Sequence, residues 1–99
     1  MNILVTGGCG YKGSILIPKL LNRGYHVTAI DIMWFGNFLK PHENLEVIEG
    51  DIRDISQVLG AAKDCKNIIH LAFINGTRLF YEQPKLVLDV GVRGALNTI

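Results

Sequence analysis

The segment ILVTGGCGYKG, residues 3–13, decides the fold. Its first three residues are a short, continuous apolar run, which Thr6 and a pair of glycines bring to an end. A strand that is apolar on both faces is typical of a parallel sheet buried between two layers of helices. A stretch with helical period follows over residues 14–23. The segment therefore predicts a buried strand, a glycine turn and a helix.

The glycines of this turn are spaced as G-x-G-x-x-G, at Gly8, Gly10 and Gly13. Glycine permits a tight turn and a close approach of the main chain to a pyrophosphate, and the free amides of the following helix carry partial positive charge. The alternative is a turn whose glycines serve packing alone. The context favours a dinucleotide site, with these candidate residues: Gly7, Gly8, Gly10, Tyr11, Lys12 and Gly13.

Strand and helix signals alternate along the rest of the chain. Strands are predicted over residues 25–31, 45–48 and 67–72, and helices over residues 54–63 and from Pro84 onward. Parallel strands require long, right-handed crossovers. The order predicts an α/β fold, a doubly wound parallel sheet of the Rossmann type, here partial, with about four strands and flanking helices. Residues 32–44 are predicted as a loop with room for one helical turn.

Local details of the helices are also predicted. We expect Pro18 to bend the first helix rather than break it, and Gly24 to end it in a left-handed conformation. Asp54 or Ser56 would cap the second helix. Its inward residues would be Ile55, Val58, Leu59 and Ala62. Residues 67–72 would be a buried strand.

Composition excludes several classes of protein. The chain has 99 residues, 48% of them hydrophobic and 19% charged, which is not the balance of a disordered chain. A net charge of +1, with no basic cluster, argues against nucleic-acid and anionic-membrane partners. No apolar run reaches ~18 residues, and the first ten residues do not resemble a signal peptide. Cys9 and Cys65 are too few for a disulfide scaffold, so we expect a reducing, cytoplasmic environment. The three histidines show no metal-ligand spacing with these cysteines.

Asp31 ends the second predicted strand, 18 residues after Gly13 (31 − 13). An acidic residue about 20 residues past the turn accepts hydrogen bonds from the adenosine ribose hydroxyls. A carboxylate there repels a 2′-phosphate, and no arginine lies between Asp31 and Lys40, so the pattern favours NAD over NADP. Lys12 is the one nearby charge that argues otherwise. The plainer alternatives are a capping aspartate and a solvated lysine.

Four segments together resemble one family. Thr6–Gly13 is similar to the T-G-x-x-G-x-x-G opening of extended short-chain dehydrogenases/reductases, the NAD-dependent epimerase/dehydratase group that acts on nucleotide sugars. Residues 50–54 (GDIRD) resemble the family's G-D-I/L-R-D segment. Residues 69–72 (IHLA) resemble its V-I-H-L-A strand, and residues 92–97 (VRGALN) resemble its N-V-x-G-T-x-N helix.

The resemblance implies roles for individual residues. Asp51 would bind the adenine amino group, and the Ile52 amide would bind an adenine ring nitrogen. Leu71, Ala72 and Phe73 would line the cofactor beside the diphosphate and the nicotinamide ribose.

The chain also departs from the family pattern. Gly91 replaces an asparagine, Lys12 replaces an apolar residue, and Phe73 replaces a small residue, which would narrow the pocket.

Three further groups of side chains lie next to the predicted cofactor segments. His70 is expected to be a hydrogen-bonded structural histidine in a buried strand. Trp34 and Phe35 would either cover the adenine or form a local hydrophobic plug. Cys9, just ahead of a helix N-terminus, should have a lowered thiol pKa if it is exposed.

Tyr81 and Lys85 match the Y-x-x-x-K signature of the same superfamily, but we reject them as a catalytic pair. The chemistry needs both on one helical face, and Pro84 between them disfavours helical geometry at Gln83. We therefore expect residues 1–99 to be the N-terminal, NAD-binding half of a catalytic domain, inactive alone. The resemblance implies that a longer, homodimeric parent transfers hydride between NAD and a sugar carbon. The alternative is a non-catalytic NAD(P)-binding sensor or regulatory module.

Overall fold

The computed structural model describes residues 2–34, 36–74 and 81–99. In this part of the chain the strands are β1 (Asn2–Thr6), β2 (His26–Asp31), β3 (Leu45–Glu49) and β4 (Asn67–His70). All neighbours are parallel, in the order β3-β2-β1-β4. The helices are α1 (Tyr11–Asn22), α2 (Ile55–Ala62), α3 (Pro84–Leu88), a π-helical segment (Asp89–Arg93) and α4 (Gly94–Thr98).

The two faces of the sheet carry separate cores, which confirms the doubly wound prediction. Because side chains alternate along a strand, β1 sends Ile3 and Val5 to one face and Leu4 to the other. The first core includes the buried side of α1, and the second includes the buried side of α2. The buried residues of the first core are Ile3, Val5, Ile17, Leu21, Val27 and Ala29. Those of the second core are Leu4, Ile30, Ile52, Val58 and Ala61.

Helix α1 begins at Tyr11, three residues before the predicted start. The prediction began too late because the first turn of the helix has no apolar periodicity. It buries Gly13, Ile17 and Leu21, four residues apart, and continues through Pro18 without a break. Gly24, at φ 88°, ends it as predicted. The amide of Tyr25 donates to the Leu20 carbonyl and that of Gly24 to the Leu21 carbonyl, which is a Schellman motif.

Helix α2 is capped by Asp54, whose carboxylate accepts a hydrogen bond from the Ser56 amide at 3.0 Å. The predicted inward set was partly wrong: Val58 is buried, but Ile55 and Leu59 are 46% and 64% exposed. The segment is apolar around most of its circumference, so periodicity alone did not fix which side faces the sheet.

Strand β4 is shorter and more exposed than predicted. It ends at His70 rather than at residue 72, and Ile68 is 41% exposed. The cause is its position, since in the described residues β4 pairs with β1 alone and forms an edge of the sheet. The loop of residues 32–44 contains no helical turn in its described part.

Helix α3, the π-helical segment and α4 follow one another without a break and form one continuous helix. Leu88 and Arg93, at the junctions, both have φ −64° and ψ −42°. Within the described residues, none of the helices has the length and apolar character that crossing a bilayer requires.

Candidate functional site

A cleft of about 310 Å³ lies at the carboxyl ends of the strands, where the glycine turn meets the loops that follow β2, β3 and β4. Ten of the twelve predicted cofactor residues line it: Gly7, Gly10, Tyr11, Lys12, Asp31, Asp51, Ile52, Leu71, Ala72 and Phe73. Besides Trp34, six further residues line the cleft that were not predicted from the sequence: Ile30, Ile32, Gly36, Gly50, Ile74 and Val90. Most of them are apolar or glycine residues next to a predicted strand end, and that position is the signal that could have found them.

The glycines of the turn divide into two groups. A β carbon on Gly7, which has φ 67°, would lie 2.8 Å from the backbone of Ala72, so the turn touches the chain leaving β4. Gly8 and Gly13 lie behind the cleft, where a β carbon on Gly13 would collide with the Gly8 carbonyl. A β carbon on Gly10 would meet its nearest neighbour, the Gly7 carbonyl oxygen, only at 3.6 Å. Gly10 therefore keeps the cleft side of the turn open, while Gly8 and Gly13 allow α1 to pack closely.

Asp31 is held in the cleft by two main-chain amides. Its Oδ2 accepts a hydrogen bond from the Cys9 amide at 3.0 Å, and its Oδ1 accepts one from the Met33 amide at 2.7 Å. Met33 itself has a left-handed φ of 63°. Each carboxylate oxygen can accept a further hydrogen bond, so a fixed bidentate acceptor faces the cleft.

Cys9 does not meet the condition of exposure on which its predicted lowered pKa depended. Its side chain is fully buried, and burial together with the nearby Asp31 carboxylate raises the pKa of its thiol to about 11. The predicted lowering required exposure at the helix terminus. Desolvation of the thiolate outweighs the helix dipole here.

The Asp51 carboxylate is paired with Arg53. The Nε and Nη2 atoms of Arg53 donate to Asp51 Oδ2 at 2.9 and 2.6 Å, and the Arg53 amide donates to Oδ1 at 2.9 Å. These hydrogen bonds hold the pKa of Asp51 below its usual value despite partial burial. Arg53 Nη1 also approaches Asp89 Oδ2 at 3.4 Å, which links this loop to the final helix.

Asn97 makes the second link between the final helix and the loop of residues 50–54. Its Nδ2 donates to the carbonyl oxygens of Ile52 and Arg53 at 3.0 and 2.9 Å. Gly94 packs directly on the Ile52 side chain, where a β carbon would collide with Cδ1. Both residues belong to the segment VRGALN, whose spacing predicts a helix but neither of these contacts.

Thr6 joins the ends of β1 and β4. Its buried Oγ1 accepts hydrogen bonds from the Leu71 and Ala72 amides at 3.1 and 3.2 Å, and it lies 2.7 Å from His70 Nδ1. The predicted structural hydrogen bond of His70 is confirmed. Its predicted burial is wrong, because the edge position of β4 leaves His70 exposed as a residue, although its Nδ1 contacts the buried Thr6 hydroxyl.

Aromatic side chains complete the cleft. Trp34 lines it and is 44% exposed, so it is not a buried plug; Phe35 lies outside the described residues. The ring of Phe73 packs over Gly91 in the π-helical segment, where a β carbon would lie 2.6 Å from Cε2. Gly91 thus makes room for Phe73.

The rejected pair remains apart from this site. Tyr81 is 84% exposed, and Gln83, at φ −137° and ψ 63°, interrupts helical geometry between Tyr81 and Lys85. In the described part of the chain, no group of three or more His, Cys, Asp or Glu side chains is placed to hold a metal ion.

Comparison with known proteins places this cleft in context. The model of the NAD dependent epimerase/dehydratase family matches residues 3–99. UDP-glucose 4-epimerase from Corynebacterium glutamicum is 36% identical over 72 residues, which are 73% of this chain and 22% of that protein. A 3β-hydroxysteroid dehydrogenase/Δ5→4-isomerase from Mycobacterium tuberculosis is 39% identical over 101 residues, covering 98% of this chain and 27% of that protein.

A solved structure gives the same picture in three dimensions. The structure of Thermus thermophilus UDP-glucose 4-epimerase in complex with NAD matches with a TM-score of 0.87 and 30% identity. The match covers 99% of this chain and 32% of that one. The chain therefore spans about a third or less of the length of these relatives.

Proposed function

Because the chain belongs to the NAD-dependent epimerase/dehydratase family, we propose that residues 1–99 are the N-terminal, NAD-binding part of a Rossmann domain in a nucleotide-sugar epimerase, dehydratase or reductase. The observation that carries the proposal is the cleft itself. It sets the amide-held carboxylate of Asp31 beside the open glycine turn that precedes α1.

The cleft offers a partner for each part of NAD. The Asp31 carboxylate suits the two hydroxyls of the adenosine ribose. The clearance at Gly10, the first-turn amides of α1 and the Lys12 side chain suit the diphosphate. Leu71, Ala72 and Phe73 would lie beside the nicotinamide ribose.

The adenine would lie near Asp51 and Ile52, with Trp34 beside it. Asp51 would have to share its oxygens between the adenine amino group and Arg53.

NAD, when bound, supplies hydride transfer to and from a substrate carbon. The residues described here bind and orient it. The proton-transfer residues belong to the rest of the longer parent, because the exposed Tyr81 is separated from Lys85 by the non-helical Gln83.

The substrate proposal rests on the epimerase relatives and goes beyond the cleft. A steroid dehydrogenase matches the same region, so the cofactor half is common to relatives named for different substrates. We propose a nucleotide sugar as substrate, a homodimeric parent and a cytoplasmic location. The alternative of a non-catalytic sensor is not favoured, because the relatives are named as enzymes.

Cofactor titration tests this proposal. The full-length protein should bind NAD more tightly than NADP, and Asp31→Ala should weaken NAD binding by about 1.5–3 kcal/mol because charge-assisted hydrogen bonds to the ribose are lost. Glu49→Ala is the matched control, since Glu49 ends the neighbouring strand in register with Asp31 but lies outside the cleft. Tighter binding of NADP by the unmutated protein would show that Asp31 has been misinterpreted.

The location of the catalytic residues has its own test. Tyr81→Phe in the full-length enzyme should leave turnover of a UDP-sugar within a few-fold, whereas loss of a general acid/base costs about 10²–10⁴-fold. A loss of that size, with folding and NAD affinity intact, would place the catalytic pair at Tyr81 and Lys85.

A further inference from the structure

The Arg53 side chain folds back on the Asp51 carboxylate and limits how much of it a ligand can use. The main-chain N–H of Arg53 donates to Oδ1 at 2.9 Å, and Nη2–H donates to Oδ2 at 2.6 Å. Nε–H is shared between Oδ2 and Oδ1, at 2.9 and 3.1 Å. Arg53 thus supplies three hydrogens to a group with about four acceptor positions, which leaves one position for a donor from elsewhere.

This arrangement is anchored on helices at both ends. On the continuous helix formed by α3, the π-helical segment and α4, Asp89 Oδ2 lies 3.4 Å from Arg53 Nη1, and Asn97 Nδ2 donates to the Arg53 carbonyl at 2.9 Å. On α2, Gln57 Oε1 accepts a hydrogen bond from the Asp51 amide at 2.6 Å. The side chains of Asp51, Arg53 and Asp89 are 27%, 27% and 31% exposed. The carboxylate and the guanidinium are therefore held in one geometry before a ligand arrives.

Within the described residues, Asp51 is the member of this ion-pair network that lines the cleft, while Arg53 and Asp89 do not line it. The same hydrogen bonds hold the pKa of Asp51 below its usual value, so near neutral pH the carboxylate is ionised and can only accept. A ligand in the cleft therefore meets one fixed acceptor position on Asp51, which a single N–H donor fills.

We infer that Arg53, held by Asp89, is a positioning residue that sets the base specificity of the cleft: it leaves Asp51 one acceptor position, and this position selects a purine with an amino group at C6. The inference rests on the proposed function for its ligand. One N–H of the adenine amino group would donate to Asp51, whereas a purine without that group leaves the desolvated acceptor without a partner. Arg53 contributes preorganisation, since a carboxylate that is free to rotate must first be ordered.

The experiment uses the full-length protein and two nucleotides, AMP and purine riboside 5′-monophosphate, which differ only by the 6-amino group. The unmutated protein should bind AMP about tenfold more tightly, as expected for one hydrogen bond to a charged acceptor. Arg53→Gln should reduce this preference to within about twofold, because the carboxylate is no longer held in place. The two nucleotides share the ribose and the phosphate, so a general loosening of the cleft would change both dissociation constants and leave their ratio unaltered.

Two further variants separate geometry from charge. Arg53→Lys keeps the positive charge but replaces the planar fork by a point charge, and it should lose the preference as Arg53→Gln does. Asp89→Asn keeps the shape but weakens the hold on Nη1, so the preference should fall to about threefold. An Arg53→Lys protein with the full preference for AMP would overturn the inference, and so would an Asp89→Asn protein with the full preference.

Arg93→Gln is the matched control. Arg93 Nε also pairs with Asp89, at 3.0 Å, but the Arg93 side chain is 63% exposed and lies on the same helix as Asp89. Its replacement should leave the preference for AMP unchanged. Loss of the preference in this variant would show that any charge near Asp89 has the same effect, and it would overturn the specific role of Arg53.

Titration of NAD against the same proteins separates this inference from the proposed function. Binding of NAD together with equal affinities for the two nucleotides would overturn the inference and leave the proposed function standing. An Arg53-dependent preference for AMP without binding of NAD would support the inference and count against the proposed function. Failure to bind any of the three ligands would overturn both.

Discussion

Gly7 and Gly24 share a left-handed backbone, with φ of 67° and 88°, but their surroundings differ. A β carbon on Gly24 meets nothing within 4 Å, whereas one on Gly7 lies 2.8 Å from the Ala72 backbone. Gly24→Ala should therefore cost only the conformational strain, about 1 kcal/mol. Gly7→Ala should cost about 2–4 kcal/mol, because overpacking is added to strain. Urea unfolding of both variants measures the difference. Equal losses would mean that the turn does not touch the chain after β4 in solution.

The burial of Cys9 predicts its chemistry. With the pKa of its thiol raised to about 11 from the ordinary 9.0, it holds little thiolate near neutral pH. Iodoacetamide should alkylate Cys9 in the folded protein far more slowly than the half-buried Cys65, with or without NAD. Mass spectrometry of the modified peptides measures both rates, and denaturant should abolish the difference. Rapid alkylation of native Cys9 would show that the turn opens.

At the level of residues, the sequence could locate the site because its signals are local. The spacing of Asp31 and the glycines predicts their role, and ten of the twelve predicted residues line one cleft. Thr6 and Asn97 could not be assigned a role in this way, because their hydrogen bonds join residues about 65 and 45 positions apart. The burial of Cys9 escaped prediction for a similar reason, since it depends on what packs over the turn.

Between elements, the contact of Phe73 with Gly91 ties the chain after β4 to the final helix. Gly91→Ala should destabilise the protein by about 1–3 kcal/mol, because the new methyl group would push against the Phe73 ring. In a Phe73→Ala background the same change should be neutral or slightly stabilising, since alanine favours a helix. Thermal or urea unfolding of the unmutated protein, the two single variants and the double variant measures the coupling between Gly91 and Phe73 in a double-mutant cycle.

Gly60→Ala provides the control for this cycle. Gly60 lies in α2, where a β carbon meets nothing within 4 Å, so its replacement should stabilise by up to about 1 kcal/mol. If Gly91→Ala costs the same with and without the Phe73 ring, the ring does not rest on Gly91.

The elements also show where periodicity is sufficient and where it is not. In helix α1 periodicity predicted the helix, but the buried residues are Gly13, Ile17 and Leu21, while Ile15 is 50% exposed. Helix α2 is apolar on several sides, so the exposure of Leu59 became visible only once the helix was docked. Gly91 and Gly94 weaken a helix in isolation, yet in the structure they are its points of close contact.

For the molecule as a whole, the strand order leaves one flank of β4 without a partner in the described residues. Exposed apolar strand edges pair with other chains. The isolated 99-residue chain should therefore self-associate and show no turnover. Ile68→Lys, on this edge, should shift sedimentation toward the monomer. Ile55→Lys, at a similarly exposed isoleucine on α2, should leave association unchanged. If both lysines act equally, general hydrophobicity rather than the β4 edge drives association.

The parallel, doubly wound arrangement followed from the sequence, since alternating elements and right-handed crossovers allow few topologies. The exposure of β4 could not be predicted from the sequence. An apolar run such as Ile68 and Ile69 predicts a strand equally well whether that strand has neighbours on both sides or on one. Only the pairing of β4 with β1 alone decides it.

The central position of β1 in the sheet determines how long this strand lacks a neighbour during translation. The strand made first needs neighbours on both sides, β2 and β4, and the second of these is complete only at His70. At roughly 5–20 residues per second, a ribosome takes several seconds to travel from β1 to β4. During that interval the nascent chain holds an apolar strand with one side unpaired. Shielding by the exit tunnel or by a chaperone would matter most for β1, and slow codons between β3 and β4 would lengthen its exposure.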